Sequence, residues 1–282
     1  DKGETVTVKE TVMLDKTIGF IGGGNMAKAI IGGLINSGQI TPSAIWIYDR
    51  KPDTNQQMAE QYGINAAESA EALAQHVDIL FGAVKPNVIL KVLKELANSL
   101  KKDALVVSIA AGVTLDNLAS VLGHDRKIIR AMPNTPSLVG EGMTSVTPNV
   151  LVEQNETDEV VAIFESFGQA AVVDEYLIHS VVGVSGSAPA YVFMFIEAMA
   201  DAAVAGGMPR AQAYRFAAQA VKGSAQMVLE TGKHPAELKD MVCSPGGTTI
   251  EAVKVLEEKG FRSAVIEAMQ QCMAKSDKLS RS

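Results

Sequence analysis

Residues 17–30, "TIGFIGGGNMAKAI", pass without a break from an apolar strand-like run through a glycine turn into apolar residues at helical spacing. Within the stretch, Gly22, Gly24 and Ala27 form the G-x-G-x-x-A variant of the dinucleotide fingerprint. Gly22 permits a tight turn, Gly24 lets a pyrophosphate approach the backbone, and Ala27 is small enough for the helix to pack closely on a sheet. The backbone N–H groups of Asn25 and Met26 would then face phosphates at the positive end of the helix dipole. The stretch therefore predicts the first strand and first helix of a nucleotide-binding α/β fold.

Outward from it, β-branched runs alternate with helical patterns as far as about Asp174. The candidate strands are "TIGFI", "IWIY", "VDILFGAV", "ALVVSI", "KIIRAM" and "AAVVD", with helical patterns between them. That alternation predicts a Rossmann-type, doubly wound, mostly parallel sheet over residues 13–176. Beyond Leu177 the strand signals stop and four or five helices follow, which predicts an all-α domain over 177–282. The first of these helices, "APAYVFMFIEAMADAAVAGG" (188–207), is apolar nearly all round. A domain of that size offers little core to cover it, so the pattern points to a homodimer interface. Residues 1–12 are polar, without the basic end and apolar stretch of a signal peptide. They are read as an extension, disordered or added to the natural chain, with Met13 near the natural start.

A chain of 282 residues with 47% hydrophobic and 20% charged residues can bury a sizeable core, and its net charge of −7 disfavours nucleic acid and acidic membranes as partners. Glu197 and Asp201 interrupt the most apolar helix, which argues against a membrane span. Two cysteines, Cys243 and Cys272, give no disulfide framework and fit a reducing, cytoplasmic setting. No cluster of ligand residues suggests a metal.

At the end of the second candidate strand stands "YDRKPD". Here Asp49 is placed to bind a ribose 2′-hydroxyl, and Arg50 and Lys51 to bind a 2′-phosphate. The residues leave both readings open; the two adjacent cations favour NADPH, with NADH as the alternative. A second glycine turn, "MVCSPGGTTI" (241–250), raises the prospect of a second anion. Ser244 reads as a helix N-cap and Pro245 as the first helical residue, with Gly246, Gly247, Thr248 and Thr249 as the first turn. Unshielded N–H groups and two hydroxyls there would suit a carboxylate; an ordinary capped helix is the alternative.

Together "GFIGGGNMAKAI", "AVKP" (83–86), "SIAAGVT" (108–114), "RAMPNTP" (130–136), "GVSGSAPAYVF" (183–193), "GMPRAQA" (207–213) and "SPGGTTIEAV" (244–253) make the chain resemble the pyrroline-5-carboxylate reductase family from Leu14 to Ser282. The resemblance implies reduction of the cyclic imine 1-pyrroline-5-carboxylate to L-proline by NAD(P)H, the last step of proline synthesis. It also implies a dimer intertwined through the C-terminal helices and, in many members, a decamer of five dimers. By motif, Ala83, Val84, Lys85 and Pro86 would line the ribose and nicotinamide side of the cofactor, and Ala110 and Ala111 would lie beneath the nicotinamide. Glu175 matches an acidic position that approaches the cofactor. Ser244, Gly246, Gly247, Thr248 and Thr249 would hold the substrate carboxylate, and Thr249 would also reach the ring nitrogen as the catalytic donor. Met241 departs from relatives that carry asparagine there.

This chemistry asks for orientation and a hydrogen-bond donor more than for a strong acid, because the imine is itself basic. None of His76, His124, His179 and His234 stands in a base or nucleophile motif. A β-hydroxyacid dehydrogenase would call for a lysine and an asparagine four residues later in the central helix, and residues 188–203 have neither. A non-catalytic NADPH sensor would have no use for the Gly-Gly-Thr-Thr turn.

Overall fold

The computed structural model describes residues 13–282; the stretch 1–12, read above as an extension, lies outside the described residues. The chain divides into two compact units. One comprises the described residues up to Val181 together with Ser276–Ser282, and the other is Val182–Lys275. The division falls slightly beyond the composition shift near residue 176. The final residues join the first unit, where the His179 imidazole Nδ1 lies 2.9 Å from the Ser276 hydroxyl.

The first unit runs β1 (Ile18–Ile21), α1 (Asn25–Asn36), β2 (Ile45–Tyr48), α2 (Pro52–Tyr62), β3 (Asn65–Ala66), α3 (Ala70–His76), β4 (Ile79–Gly82), α4 (Pro86–Leu96), β5 (Leu105–Ser108), α5 (Leu115–Leu122), β6 (Lys127–Met132), β7 (Gly142–Pro148), α6 (Gln154–Glu165) and β8 (Gly168–Val172). One eight-stranded sheet has the order β3-β2-β1-β4-β5-β6-β7-β8. Its first six strands are parallel in the 3-2-1-4-5-6 order of a dinucleotide-binding fold, β7 is antiparallel to β6, and β8 is parallel to β7.

Residue alternation along the strands divides the core into two layers. Ile18, Phe20, Ile79, Phe81, Leu105, Val107 and Ile129 belong to a layer with Ile30, Ile31 and Leu34 of α1 and Phe164 of α6. Leu80, Val106 and Ile128 point the other way, toward Leu73 of α3, Leu93 of α4 and Leu118 of α5. Full burial of each such large side chain stabilises the unit by about 1.5–3 kcal/mol. Phe20 and Phe81 stack at 4.9 Å on neighbouring strands and tie the sheet centre to α6 through Phe164, whose ring is 6.1 Å from Phe81. A Cβ at Gly19 would lie 2.6 Å from Leu73 Cδ2, so a glycine there lets α3 press onto β1.

Two strands escape a reading by pattern. The two-residue β3 is too short to show periodicity, and β7, "GMTSVTP", buries Thr144, Ser145 and Thr147 instead of an apolar stripe.

After the short α7 (Ile178–Val181), a π-helical turn at Val182–Gly186 opens the second unit. It continues with α8 (Ala188–Ala205), α9 (Arg210–Thr231), α10 (Pro235–Val242), α11 (Thr248–Glu258) and α12 (Phe261–Ser280), whose end belongs to the first unit. Few of its residues are buried within the chain. Val192, Phe193, Met194 and Phe195 are all exposed, and four consecutive positions cover a helix on every side. The same holds for Phe216 on α9 and for Val265 and Ile266 on α12. Glu175–Ala205 is long and apolar enough to cross a membrane by length and composition, and almost none of it is buried by its own chain.

Candidate cofactor crevice and glycine-threonine turn

The carboxyl ends of β1, β2, β4 and β5 bring Gly22, Asp49, Ala83 and Ala110 to one edge of the sheet. The strand order reverses between β1 and β4, and ligands of open α/β sheets bind in the crevice outside that point. Gly22 has φ +97°, and a Cβ on it would collide with the Ala83 carbonyl oxygen; its N–H donates to the Tyr48 carbonyl at 2.9 Å. Only glycine satisfies both the dihedral and the close approach. Gly24 differs: it is the exposed N-cap of α1, and a Cβ there would meet no protein atom within 4 Å. No side chain caps α1 and no acidic residue occupies its first turn, so the N–H groups of Asn25, Met26 and Ala27 are presented to a ligand. Ala27 is fully buried against the sheet. This cradle fits a dinucleotide pyrophosphate.

Asp49 is half-buried and doubly engaged. One carboxylate oxygen accepts the Gly23 N–H and the other the Lys51 N–H, each at 2.9 Å. Asn55 completes the brace, accepting the Asp49 N–H and donating to the Asp49 carbonyl, both at 2.7 Å. Gly23 allows this close packing, since a Cβ on it would lie 2.6 Å from Thr54 Cγ2 and 2.8 Å from Met58 Sδ and would have to displace both side chains. Its role is absent from the fingerprint spacing and shows only in three dimensions. Arg50 and Lys51 are exposed beside the start of α2, and neither forms an ion pair among the described residues.

Ala83 and Val84 are half-exposed, while Lys85 and Pro86 are exposed as the N-cap and first residue of α4. Ala110 is buried in the second core layer with its N–H on the Ser108 hydroxyl at 3.2 Å, and Ala111 is exposed. Glu175 does not stand free. Its Oε2 accepts the Leu115 N–H at 2.9 Å and lies 3.3 Å from Arg130 Nη1.

The glycine-threonine turn corrects one expectation. Ser244 is not a helix N-cap and Pro245 is not a first helical residue: α11 begins at Thr248, with Gly247 as its N-cap and no side-chain cap. Gly246 has φ +69°, which a right-handed helix excludes, and the Gly247 N–H donates to the Ser244 carbonyl at 3.1 Å. Proline followed by glycine at positive φ is the type II turn pattern, a signal the dipeptide itself carries. The helical donors are therefore the N–H groups of Thr248, Thr249 and Ile250. Thr249 is half-buried and Thr248 exposed, and a Cβ at Gly247 would lie 2.5 Å from the Ser244 hydroxyl.

Three histidines serve the fold. His76 lies edge-on to Trp46, His179 binds Ser276, and His234 caps α10 by accepting the Ala236 N–H.

Residues 17–112 match the family model described as NADP oxidoreductase, coenzyme F420-dependent, and residues 175–279 match the one described as pyrroline-5-carboxylate reductase dimerisation. The pyrroline-5-carboxylate reductase of Escherichia coli K12 is 71% identical over 95% of this chain and 100% of its own length. The solved structure of the Coxiella burnetii enzyme superposes with a TM-score of 0.91 at 36% identity, over 95% of this chain and 100% of that one. That of the Plasmodium falciparum enzyme, solved with NADP bound, gives 0.83 at 33% identity, over 95% and 99%. With near full-length identity on this scale, and with the fold and both glycine turns in place, the chain belongs to the pyrroline-5-carboxylate reductase family.

Proposed function

We propose that the chain reduces 1-pyrroline-5-carboxylate to L-proline with NADPH, the last step of proline biosynthesis. The single observation that carries this reading is the coexistence in one chain of two uncapped, glycine-started helices, α1 and α11, within a family-wide match. NADPH, when bound, supplies a hydride from nicotinamide C4 to the imine carbon. The α1 N-terminus and Gly24 receive its pyrophosphate, Ala83 to Pro86 flank its ribose and nicotinamide side, and Ala111 with the backbone at Ala110 forms the floor beneath the nicotinamide. Glu175 borders that floor from the start of α5. Ser244 and the turn Gly246–Thr249 hold the substrate carboxylate, and the Thr249 hydroxyl donates to the ring nitrogen. No side chain need act as a strong acid, since the imine nitrogen carries or readily gains its proton. The decisive assay is loss of absorbance at 340 nm when pyrroline-5-carboxylate is added to protein and NADPH; no loss would refute the reading.

Asp49, held by two backbone donors, braces the glycine loop, which leaves Arg50 and Lys51 to bind the 2′-phosphate. Replacing both by alanine is expected to raise the Michaelis constant for NADPH about ten-fold more than that for NADH, equivalent to about 1.4 kcal/mol. The difference should shrink with added salt. Equal changes for both cofactors would place the choice elsewhere.

The helical unit is a dimerisation domain, and its exposed apolar residues on α8, α9 and α12 are the surface a second copy covers, including the membrane-like run. A homodimer, assembled further into a decamer, working in the cytoplasm without membrane or nucleic-acid partners, fits this surface and the net charge of −7. Phe193→Glu would place a charge in an interface unable to solvate it, and light scattering is expected to show dissociation to monomers. A wild-type monomer at micromolar concentration would refute the assembly.

A further inference from the structure

Among the described residues, Arg130 is the one buried arginine, and it lies in the sheet. It occupies β6 between Ser108 of β5 and Thr147 of β7, with 5% of its surface exposed. Burial pulls its guanidinium below the ordinary arginine range, and the adjacent Glu175 pulls it back up. A buried cation in a strand is unfavourable unless paired, so some arrangement must hold a carboxylate against it. Glu175 is that carboxylate, and the oxygen that faces Arg130 also accepts the N–H of Leu115, the first residue of α5. The α5 start carries its own capping box, in which Thr114 and Asn117 bond reciprocally and satisfy the N–H groups of those two residues. Glu175 takes the Leu115 N–H that the capping box leaves open, and so ties that helix end to a charge anchored in β6.

The segment held between these points is the β5–α5 loop, residues 109–114. At one end it leaves β5 through the Ser108 hydroxyl, which accepts the Ala110 N–H. At the other it is gripped by Glu175 at Leu115. This loop carries Ala110 and Ala111, the floor under the nicotinamide in the function proposed above, on which the inference rests. We propose that Arg130 is a positioning residue for the reduction: acting through Glu175, it fixes the height and tilt of that floor against the sheet. Hydride transfer depends steeply on the approach of donor and acceptor carbons, so a small shift of the floor would appear in the chemical step more than in cofactor affinity.

The test compares wild type, Arg130→Lys, Glu175→Gln, the double variant Arg130→Met with Glu175→Met, and Lys127→Met. Lys127 is a control at the opposite end of the same strand, paired with Glu156 at 3.0 Å and remote from the crevice. The double variant removes both charges together and guards against a failure to fold, since an apolar replacement of a buried pair is tolerated where a lone charge is not. For each protein, the melting temperature, the NADPH dissociation constant, kcat with pyrroline-5-carboxylate, and the deuterium isotope effect on kcat with NADPH labelled at the transferred C4 hydrogen are measured.

Arg130→Lys keeps the charge but loses the planar fork. It and Glu175→Gln are expected to lower kcat about ten-fold, to change NADPH affinity less than about three-fold, and to raise the isotope effect as hydride transfer comes to limit turnover. The double variant should be no worse in kcat than the worse single one, because the two residues act as one device. Lys127→Met should lower the melting temperature alone. If the Arg130 and Glu175 variants behave like Lys127→Met, with kcat and isotope effect at wild-type values, the pair is merely structural and the inference is overturned while the function stands. A wild-type protein that binds NADPH but does not oxidise it with pyrroline-5-carboxylate overturns the function and this inference with it.

Discussion

Gly24→Val is expected to abolish NADPH binding while the protein stays folded. A Cβ at this position meets no protein atom within 4 Å, so the added isopropyl group enters open space in front of α1 and leaves the core untouched. That space is where the pyrophosphate must lie to reach the N–H groups of Asn25, Met26 and Ala27. The companion Gly22→Ala should behave in the opposite way. At φ +97° and against the Ala83 carbonyl it disrupts the β1–β4 junction itself, so the folded state should be lost or strongly destabilised before binding is measured. Circular dichroism with fluorescence titration of NADPH separates the two. A Gly24→Val protein with wild-type affinity would show that the cofactor does not use this loop.

Thr249→Ala is expected to lower kcat by about ten- to a thousand-fold, with Thr249→Ser recovering much of the loss. The turn would divide two tasks between backbone and side chain. Backbone N–H groups at the α11 start would meet a carboxylate whose charge is the same in substrate and product, so they are expected to act mainly on the Michaelis constant. In the proposed complex the half-buried Thr249 hydroxyl would face a nitrogen whose charge changes as hydride arrives, so its contribution is expected in the transition state. Because Gly247 is the N-cap and Thr249 lies within the helix, alanine there keeps the turn and its donors. Steady-state kinetics and binding of a non-reactive, carboxylate-bearing proline analogue distinguish the tasks. Weakened analogue binding with intact kcat would make the hydroxyl a carboxylate ligand only, the proton coming from water or already present on the imine.

Much of the fold was legible because its signals are local. The run from Thr17 to Ile30 carries strand alternation, a glycine turn and helical spacing within one stretch, and the buried residues Ile18, Phe20, Ala27 and Ile30 are those that pattern marks. The all-round apolar 188–205 helix likewise announced a surface that its own chain could not cover. What failed to show was either too short for a period, like β3, or polar where burial is expected, like β7. The start of α11 was misplaced because Ser-Pro suggests a cap, whereas the positive φ of Gly246 decides the matter.

The sequence by itself determined the order of six of the eight strands and of the helices between them, the division into a nucleotide-binding and a helical part, and the residue types at both glycine turns. Each of these rests on side-chain periodicity or dihedral preference within a few neighbouring residues. Only the tertiary structure decided how those residues are held. Asp49 braces Gly23 across 26 residues, and Glu175 joins Arg130 across 45 and Leu115 across 60. Such pairings carry no period. A buried charge takes whichever partner the packed sheet brings within hydrogen-bond reach, and chain separation places no constraint on that choice once the sheet has formed.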